Sequence, residues 1–194
     1  MNENEPQKAD WIYLRSGEAF SLWACLHDGE LISSRSDLLD RVVNLEFSVA
    51  HLLDDDTKST TFSLNLDEVT SVRSIGHFRW PGTFEGRANN SREEYGQLVK
   101  DYLAKWREET VGWTEFESAL RTDPLQIGDA SFVSRNDVTT LRIGGFLDGE
   151  KFDDIYFDVF LRGKNLTASR SDGKDFSIEA FIDLGKKYWD DFGN

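Results

Sequence analysis

Apolar and polar side chains alternate along several short runs of this chain, and this period of two most constrains its fold. An alternating run predicts a β-strand with one buried and one exposed face. Aromatic side chains on both faces of 155–162 indicate an interior strand. The runs extend over Phe20–Leu26, 30–33, Val42–His51, Phe62–Leu66, 69–75, Val138–Leu147, Ile155–Leu161 and Leu166–Arg170.

Turn-forming residues stand between these runs. The pairs Asp28-Gly29 and Asp148-Gly149 predict hairpins, because both central residues of a type I′ turn need positive φ. Gly163-Lys164 predicts a third turn, while Pro124 and Gly128 predict a break in the chain. Strands joined by such short turns predict a mostly antiparallel sheet.

Two stretches repeat apolar side chains every three or four residues, as amphipathic helices do. The first follows Ser91, which forms a capping box with Glu94, and we predict a helix over 92–109. The second is predicted over 176–190, and 114–121 adds a short helix. The fold class is therefore α+β, with one or more mostly antiparallel sheets packed by two long amphipathic helices.

The length of 194 residues fits one domain. Residues 1–10 are polar and predict a flexible leader, which leaves 11–194 as a single α+β domain. Short echoes between the two Asp-Gly regions raise the hypothesis of a strands-then-helix duplication, with halves at about 11–110 and 130–194. The spacings differ between the halves, so chance similarity is the alternative.

The net charge of −14 comes from 36 acidic and 22 basic side chains. A negative field repels phosphate backbones, so we expect no direct binding to nucleic acid. A basic protein partner fits this charge, and solubility alone is the other explanation.

The chain carries one cysteine and begins without the basic start and apolar stretch of a signal peptide. No window reaches the length of apolar residues that a membrane helix needs. We therefore predict a soluble bacterial cytoplasmic protein with no membrane association. The sequence leaves its oligomeric state open.

Familiar catalytic and cofactor-binding motifs do not occur in the sequence. It has no phosphate-binding loop, no dinucleotide fingerprint and no nucleophile elbow. One cysteine and three scattered histidines do not make a zinc site, and Asp54-Asp55-Asp56 lacks the alternation of a calcium loop. We predict no catalytic residue, cofactor or metal, and we favour a non-enzymatic role without excluding an enzyme.

Two groups of residues are candidates for binding. The loop predicted over 77–90 holds His77, Arg79, Trp80 and Phe84, and these types are frequent in interface hot spots. The alternative is that its aromatic side chains fold back over the sheet.

Trp23, Cys25 and His27 are candidates for the wall of a pocket. On a strand, Cys25 and His27 would project from the same face, although too far apart for a direct hydrogen bond. The alternative is a small buried thiol beside a histidine at the rim.

The segment from Leu26 to Ser34, with Asp37 and the run Arg41–Phe47, resembles the opening of small bacterial immunity proteins of polymorphic toxin systems and related uncharacterised families. The likeness covers about residues 26–49. It implies a protein that neutralises a partner by binding, and the acidic charge is compatible with covering a basic nuclease toxin.

Three functions follow as hypotheses. The first is an acidic, immunity-type module that binds protein. The second is a small-molecule-binding domain or an enzyme, with a pocket between the sheet and the helices. The third is a structural homo-oligomer.

Overall fold

One antiparallel sheet of eleven strands dominates the part of the chain that the structure describes. The structure is a computed structural model and describes residues 20–37, 39–52, 60–78, 107–149 and 152–192. Its strands are β1 (Phe20–Ser21), β2 (Glu30–Asp37), β3 (Val42–Ser48), β4 (Thr61–Leu66), β5 (Ser71–Phe78), β6 (Arg107–Val111), β7 (Leu125–Arg135), β8 (Val138–Gly149), β9 (Phe152–Gly163), β10 (Leu166–Arg170) and β11 (Asp175–Ser177). The helices in these ranges are α1 (Trp23–Leu26), α2 (Trp113–Leu120) and α3 (Ile178–Phe192), with a 3-10 turn at Ala50–Leu52.

The sheet closes on itself through one long two-stranded ribbon. The strand order is β11-β10-β4-β3-β2-β7-β8-β9-β5-β6, and β1 pairs with β7. Because β4 leads into β5 and β9 leads into β10, the pairs β4–β10 and β5–β9 form one continuous ribbon. At its midpoint Lys164 N donates to Asp67 O at 2.8 Å, and Thr70 N donates to Arg162 O at 2.8 Å. Since β3 borders one strand of the ribbon and β8 the other, the sheet surrounds its core.

The apolar core lies inside this closed sheet. In β3 and β4 burial alternates residue by residue, which confirms the predicted inward faces. The helices α2 and α3 add Phe116 and Phe181 to the same core. Burying such a phenylalanine stabilises the fold by roughly 1.5–3 kcal/mol. The predicted strands along β3, β4, β8, β9 and β10 are confirmed, as are the short helix α2 and the C-terminal helix α3.

The strand predicted over Phe20–Leu26 is wrong in its second half, where the chain forms the single helical turn α1. The chain still follows β7 on both sides of that turn. Leu22 N donates to Ala130 O, and Ile127 N donates to Gly29 O, each at 2.9 Å. Residues 22–29 lie opposite only residues 127–130 of β7, and the helical turn takes up the four surplus residues.

The Asp28-Gly29 hairpin is also wrong, because this turn joins α1 to β2. Asp28 does adopt a positive φ of 58°. The first hairpin instead joins β2 to β3. There the Asp37 carboxylate accepts hydrogen bonds from Leu39 N at 2.9 Å and Asp40 N at 3.0 Å.

Three further predictions are corrected. Gly128 does not end a segment but lies in β7, where a β-bulge shifts the register between Ile127 and Asp129. The turn at Gly163-Lys164 leads into β10, which pairs with β4 and not with β9. Residues 107–109, the end of the helix predicted over 92–109, belong to β6. Residues 92–106 lie outside the described ranges, as do the leader 1–10 and residues 11–19, and the duplication stays a prediction.

The predicted hairpin of β8 and β9 is present, but Asp148 and Gly149 belong to β8 itself, with Gly149 opposite Phe152. No helix of the described ranges is long and apolar enough to cross a membrane.

Helix α1 packs directly on α3 at Gly185. A Cβ atom on Gly185 would lie 2.6 Å from Ala24 O and 2.7 Å from Cys25 Sγ. Real Cβ atoms do not approach backbone atoms so closely, so only glycine permits this contact. The Cys25 thiol also donates to Phe181 O at 3.1 Å, which ties α1 to the preceding turn of α3.

We expect Gly185→Ala to destabilise the protein by about 2 kcal/mol, since overpacking of a tight contact costs roughly 1–3 kcal/mol. Urea unfolding followed by circular dichroism measures this change. Gly128→Ala is the matched control, because its Cβ would meet Tyr156 at an ordinary 3.8 Å. Equal stability of the two variants would contradict the tight packing of α1 on α3.

Candidate functional site

Three rings gather on the surface beside the helical excursion, and we call Trp23, His27 and Trp189 the aromatic patch. Trp23 and His27 lie one helical turn apart, and their rings stack. The ring centroids are 4.2 Å apart, and the angle between the ring planes is 21°. The ring centroid of Trp189, in α3, lies 5.2 Å from that of Trp23 and 6.0 Å from that of His27. Trp23 is 41% exposed. A tryptophan presented to solvent on a supported turn is typical of a binding surface.

The carbonyl of Ala24 holds the patch in place. It accepts one hydrogen bond from Trp189 Nε1 at 2.9 Å and is 3.2 Å from His51 Nε2. The last carbonyls of a helix have no partner within the helix, so these side chains satisfy an otherwise open acceptor. Burial lowers the pKa of His51, and the contact with Ala24 O offsets this only in part. We therefore infer a neutral His51 that donates from Nε2.

A carboxylate borders the aromatic patch. Asp28 Oδ1 lies 3.3 Å from His27 Nε2, and the Asp28 side chain is 76% exposed. On α3, Trp189 is followed by Asp190 and Asp191, both exposed. Tryptophan faces and carboxylates both attract cations, so the surroundings suit a basic side chain.

Cys25 belongs to the same helical turn but points into the core. Burial raises the pKa of its thiol to about 12. The strand prediction, which put Cys25 and His27 on one face, is wrong because a helix separates the directions of these two side chains. The structure thus brings Trp23 and His27 together at the surface, while Cys25 holds α1 on α3.

His77, a predicted partner-binding residue, lies at the end of β5 and is 8% exposed. Its Nε2 is 2.9 Å from Asp158 Oδ2. Arg142 Nε donates to Asp158 Oδ1 at 2.7 Å, and Arg142 Nη1 donates to Asp129. The structure therefore places His77 in a buried network of charged groups. Arg79, Trp80 and Phe84 lie outside the described residues, and the binding role of all four stays a prediction.

The pKa values follow from this network. Burial alone would raise the pKa of Asp158, but the hydrogen bond with His77 and the Arg142 charge hold it below the ordinary value of 3.8. Burial works against the charge of Arg142, but Asp158, Tyr156 and Asp129 together more than compensate for it, so the pKa of Arg142 is raised. Both groups stay charged at neutral pH.

Tyr156 completes the network. Its hydroxyl lies over Gly144, where a Cβ atom would clash with it, and its ring edge faces Gly128. Burial raises the pKa of Tyr156 to about 12, and the charge of Asp158 adds to this effect. The absence of a side chain at Gly144 makes room for the tyrosine hydroxyl. This network fixes strands β5, β7, β8 and β9 to one another, and we assign it a structural role.

Sequence reasoning missed Trp189, His51 and the network around Asp158. Trp189 lies within the helix predicted over 176–190, and His51 carries no local signal. Asp158 did carry one, since it is a lone acid between Phe157 and Val159 in an interior strand. Over the described ranges, no group of three or more His, Cys, Asp or Glu side chains is arranged to hold a metal ion.

Comparison with known proteins gives no match to a protein-family model, to a curated protein or to a solved structure. The geometry described above is therefore the basis for any functional proposal.

The buried thiol gives a prediction. In the folded protein at pH 8 we expect alkylation of Cys25 by iodoacetamide to be at least 100-fold slower than in 6 M guanidinium, because only the thiolate reacts and burial disfavours it. Mass spectrometry over time measures both rates. A native rate close to the unfolded one would contradict the burial of Cys25 against α3.

The charged network gives a second prediction. We expect Asp158→Asn to cost about 3 kcal/mol at pH 7, because the variant leaves the Arg142 charge only partly compensated. A depressed carboxylate pKa contributes stability above about pH 4, which is lost as pH falls through the folded-state pKa. Urea unfolding from pH 7 to pH 2 should therefore show a shallower decline for this variant than for the wild type. Asp175→Asn, at an exposed position, should behave like the wild type.

Proposed function

We propose that the chain is a non-enzymatic, immunity-type module of the bacterial cytoplasm, which binds a basic protein partner through the aromatic patch. The observation that carries this proposal is the exposure of Trp23 on a helical turn that leaves and rejoins the sheet. A segment that leaves regular strand pairing loses hydrogen bonds to the neighbouring strand. Such irregularities are frequent at functional sites.

The construction of the patch supports this proposal. The Ala24 carbonyl is fixed by Trp189, and α1 is fixed by the contact at Gly185. A rigid aromatic anchor loses little conformational entropy when a partner binds, so more of its contact energy appears as affinity.

The negative charge of the chain supports binding of a basic partner. The chain carries −14 overall, and the exposed Asp28 carboxylate borders the patch. Complementary charge accelerates encounter and excludes acidic competitors. A basic side chain stacked on Trp23 would combine cation–π attraction with a nearby carboxylate.

Two groups with catalytic potential are engaged in structural contacts, which supports a binding role over an enzymatic one. The Cys25 thiol is held protonated by burial, and His77 is paired with the Asp158 carboxylate. A nucleophile needs a base within hydrogen-bond reach, and Cys25 instead donates to a backbone carbonyl.

Binding to the basic proteins encoded beside this chain's gene tests the proposal. We expect at least one partner whose Kd weakens by tenfold or more when Trp23 is replaced by Ala, since hot-spot tryptophans contribute about 2 kcal/mol or more. Calorimetry at low and moderate salt measures this Kd and its salt dependence.

Phe146→Ala is the matched control, because Phe146 is 40% exposed and Trp23 is 41% exposed. The control should keep the wild-type affinity. If the two variants lose affinity equally, or if the Kd does not change with salt concentration, binding of a basic partner at this patch is refuted.

A further inference from the structure

A groove of about 720 Å³ opens at the end of the closed sheet, between the β7–β8 turn, the β9–β10 turn and the first turns of α3. This volume falls in the range of roughly 300–1,000 Å³ that small-molecule sites occupy. The groove shares only α3 with the aromatic patch, and it contributes nothing to the function proposed above.

The floor of the groove is apolar. It is formed by four core side chains that are between 5% and 9% exposed, Phe132, Leu166, Ile178 and Ile182. The groove is therefore a place where the main core meets solvent. An aliphatic chain of a ligand would cover this floor and remove apolar surface from water.

The rim of the groove carries basic and acidic side chains, and they differ in whether they already have a partner. Lys164 Nζ is paired with Glu68 at 2.7 Å, and Arg135 has an interaction partner of its own. For Asp137 and Glu179, no ion pair is formed with any residue of the described ranges. The rim thus offers a ligand two carboxylates whose charge no ion pair compensates.

We infer that this groove binds a small aliphatic amine in its ammonium form. The alkyl chain would lie on the apolar floor, while the ammonium group would meet Asp137 and Glu179. Asn136 and Asn165 also line the groove and add amide oxygens as acceptors. The overall charge of −14 favours a cation over an anion at this mouth.

Three probes of equal chain length test the inference at pH 7, namely hexylammonium, hexanoate and 1-hexanol. Titration followed by two-dimensional amide NMR of the full chain measures each affinity and maps it to residues. We expect hexylammonium to bind at least tenfold more tightly than either of the other probes, with shifts centred on 134–139, 164–166 and 178–182. Equal binding of hexanol, or shifts elsewhere, would overturn the inference.

A double variant, Asp137→Asn with Glu179→Gln, should weaken hexylammonium binding at least fivefold, because both carboxylates are removed without loss of volume. Asp183→Asn is the control on the same helix, since Asp183 is exposed and lies outside the groove. A lysine-rich peptide is the fourth probe. If this peptide binds the groove while hexylammonium does not, the occupant is a protein side chain and the inference is wrong.

Discussion

The contact of α1 with α3 is the interaction on which the arrangement of the surface depends. The backbone carbonyl of Ala24 receives two side chains from distant parts of the chain, and Gly185 gives it room to approach the helix. The helical turn, the stacking of Trp23 on His27 and the burial of Cys25 all follow from the same few atoms.

A second constraint acts on the other side of the sheet. Asp158 is an ionised group inside an apolar strand, and its desolvation is offset by His77 and Arg142. Pairing of this kind defines strand register more sharply than apolar contacts do, because a slip of one residue would leave a buried charge unpaired. The network therefore specifies how β5, β8 and β9 align, while the apolar core supplies most of the stabilisation.

Much of the fold could be predicted from periodicity, but only where one local pattern fits one structure. The alternation in β3 and β4 has a single interpretation, and the structure agrees with it. Residues 20–26 satisfy two periods at once, because Leu22, Cys25 and Leu26 also follow helical spacing. The outcome depends on Gly185 and Trp189, which lie about 160 residues away and leave no local trace. In β7 the bulge at Gly128 interrupted the alternation, so this central strand was missed. For the site, residue types identified Trp23 and His27, whereas their stacking and the role of Trp189 required the tertiary structure.

The ribbon that closes the sheet joins segments that are far apart in the chain. Residues 62–77 pair with 156–170, a separation of about 90 residues. During synthesis the apolar faces of β3 and β4 are not fully enclosed until residues 156–170 have been made. Such non-local pairing slows folding, since loop-closure entropy is lost before the contacts compensate for it. The nascent chain is thus exposed to aggregation until this pairing forms. The excess of acidic side chains provides repulsion between neighbouring chains during that interval.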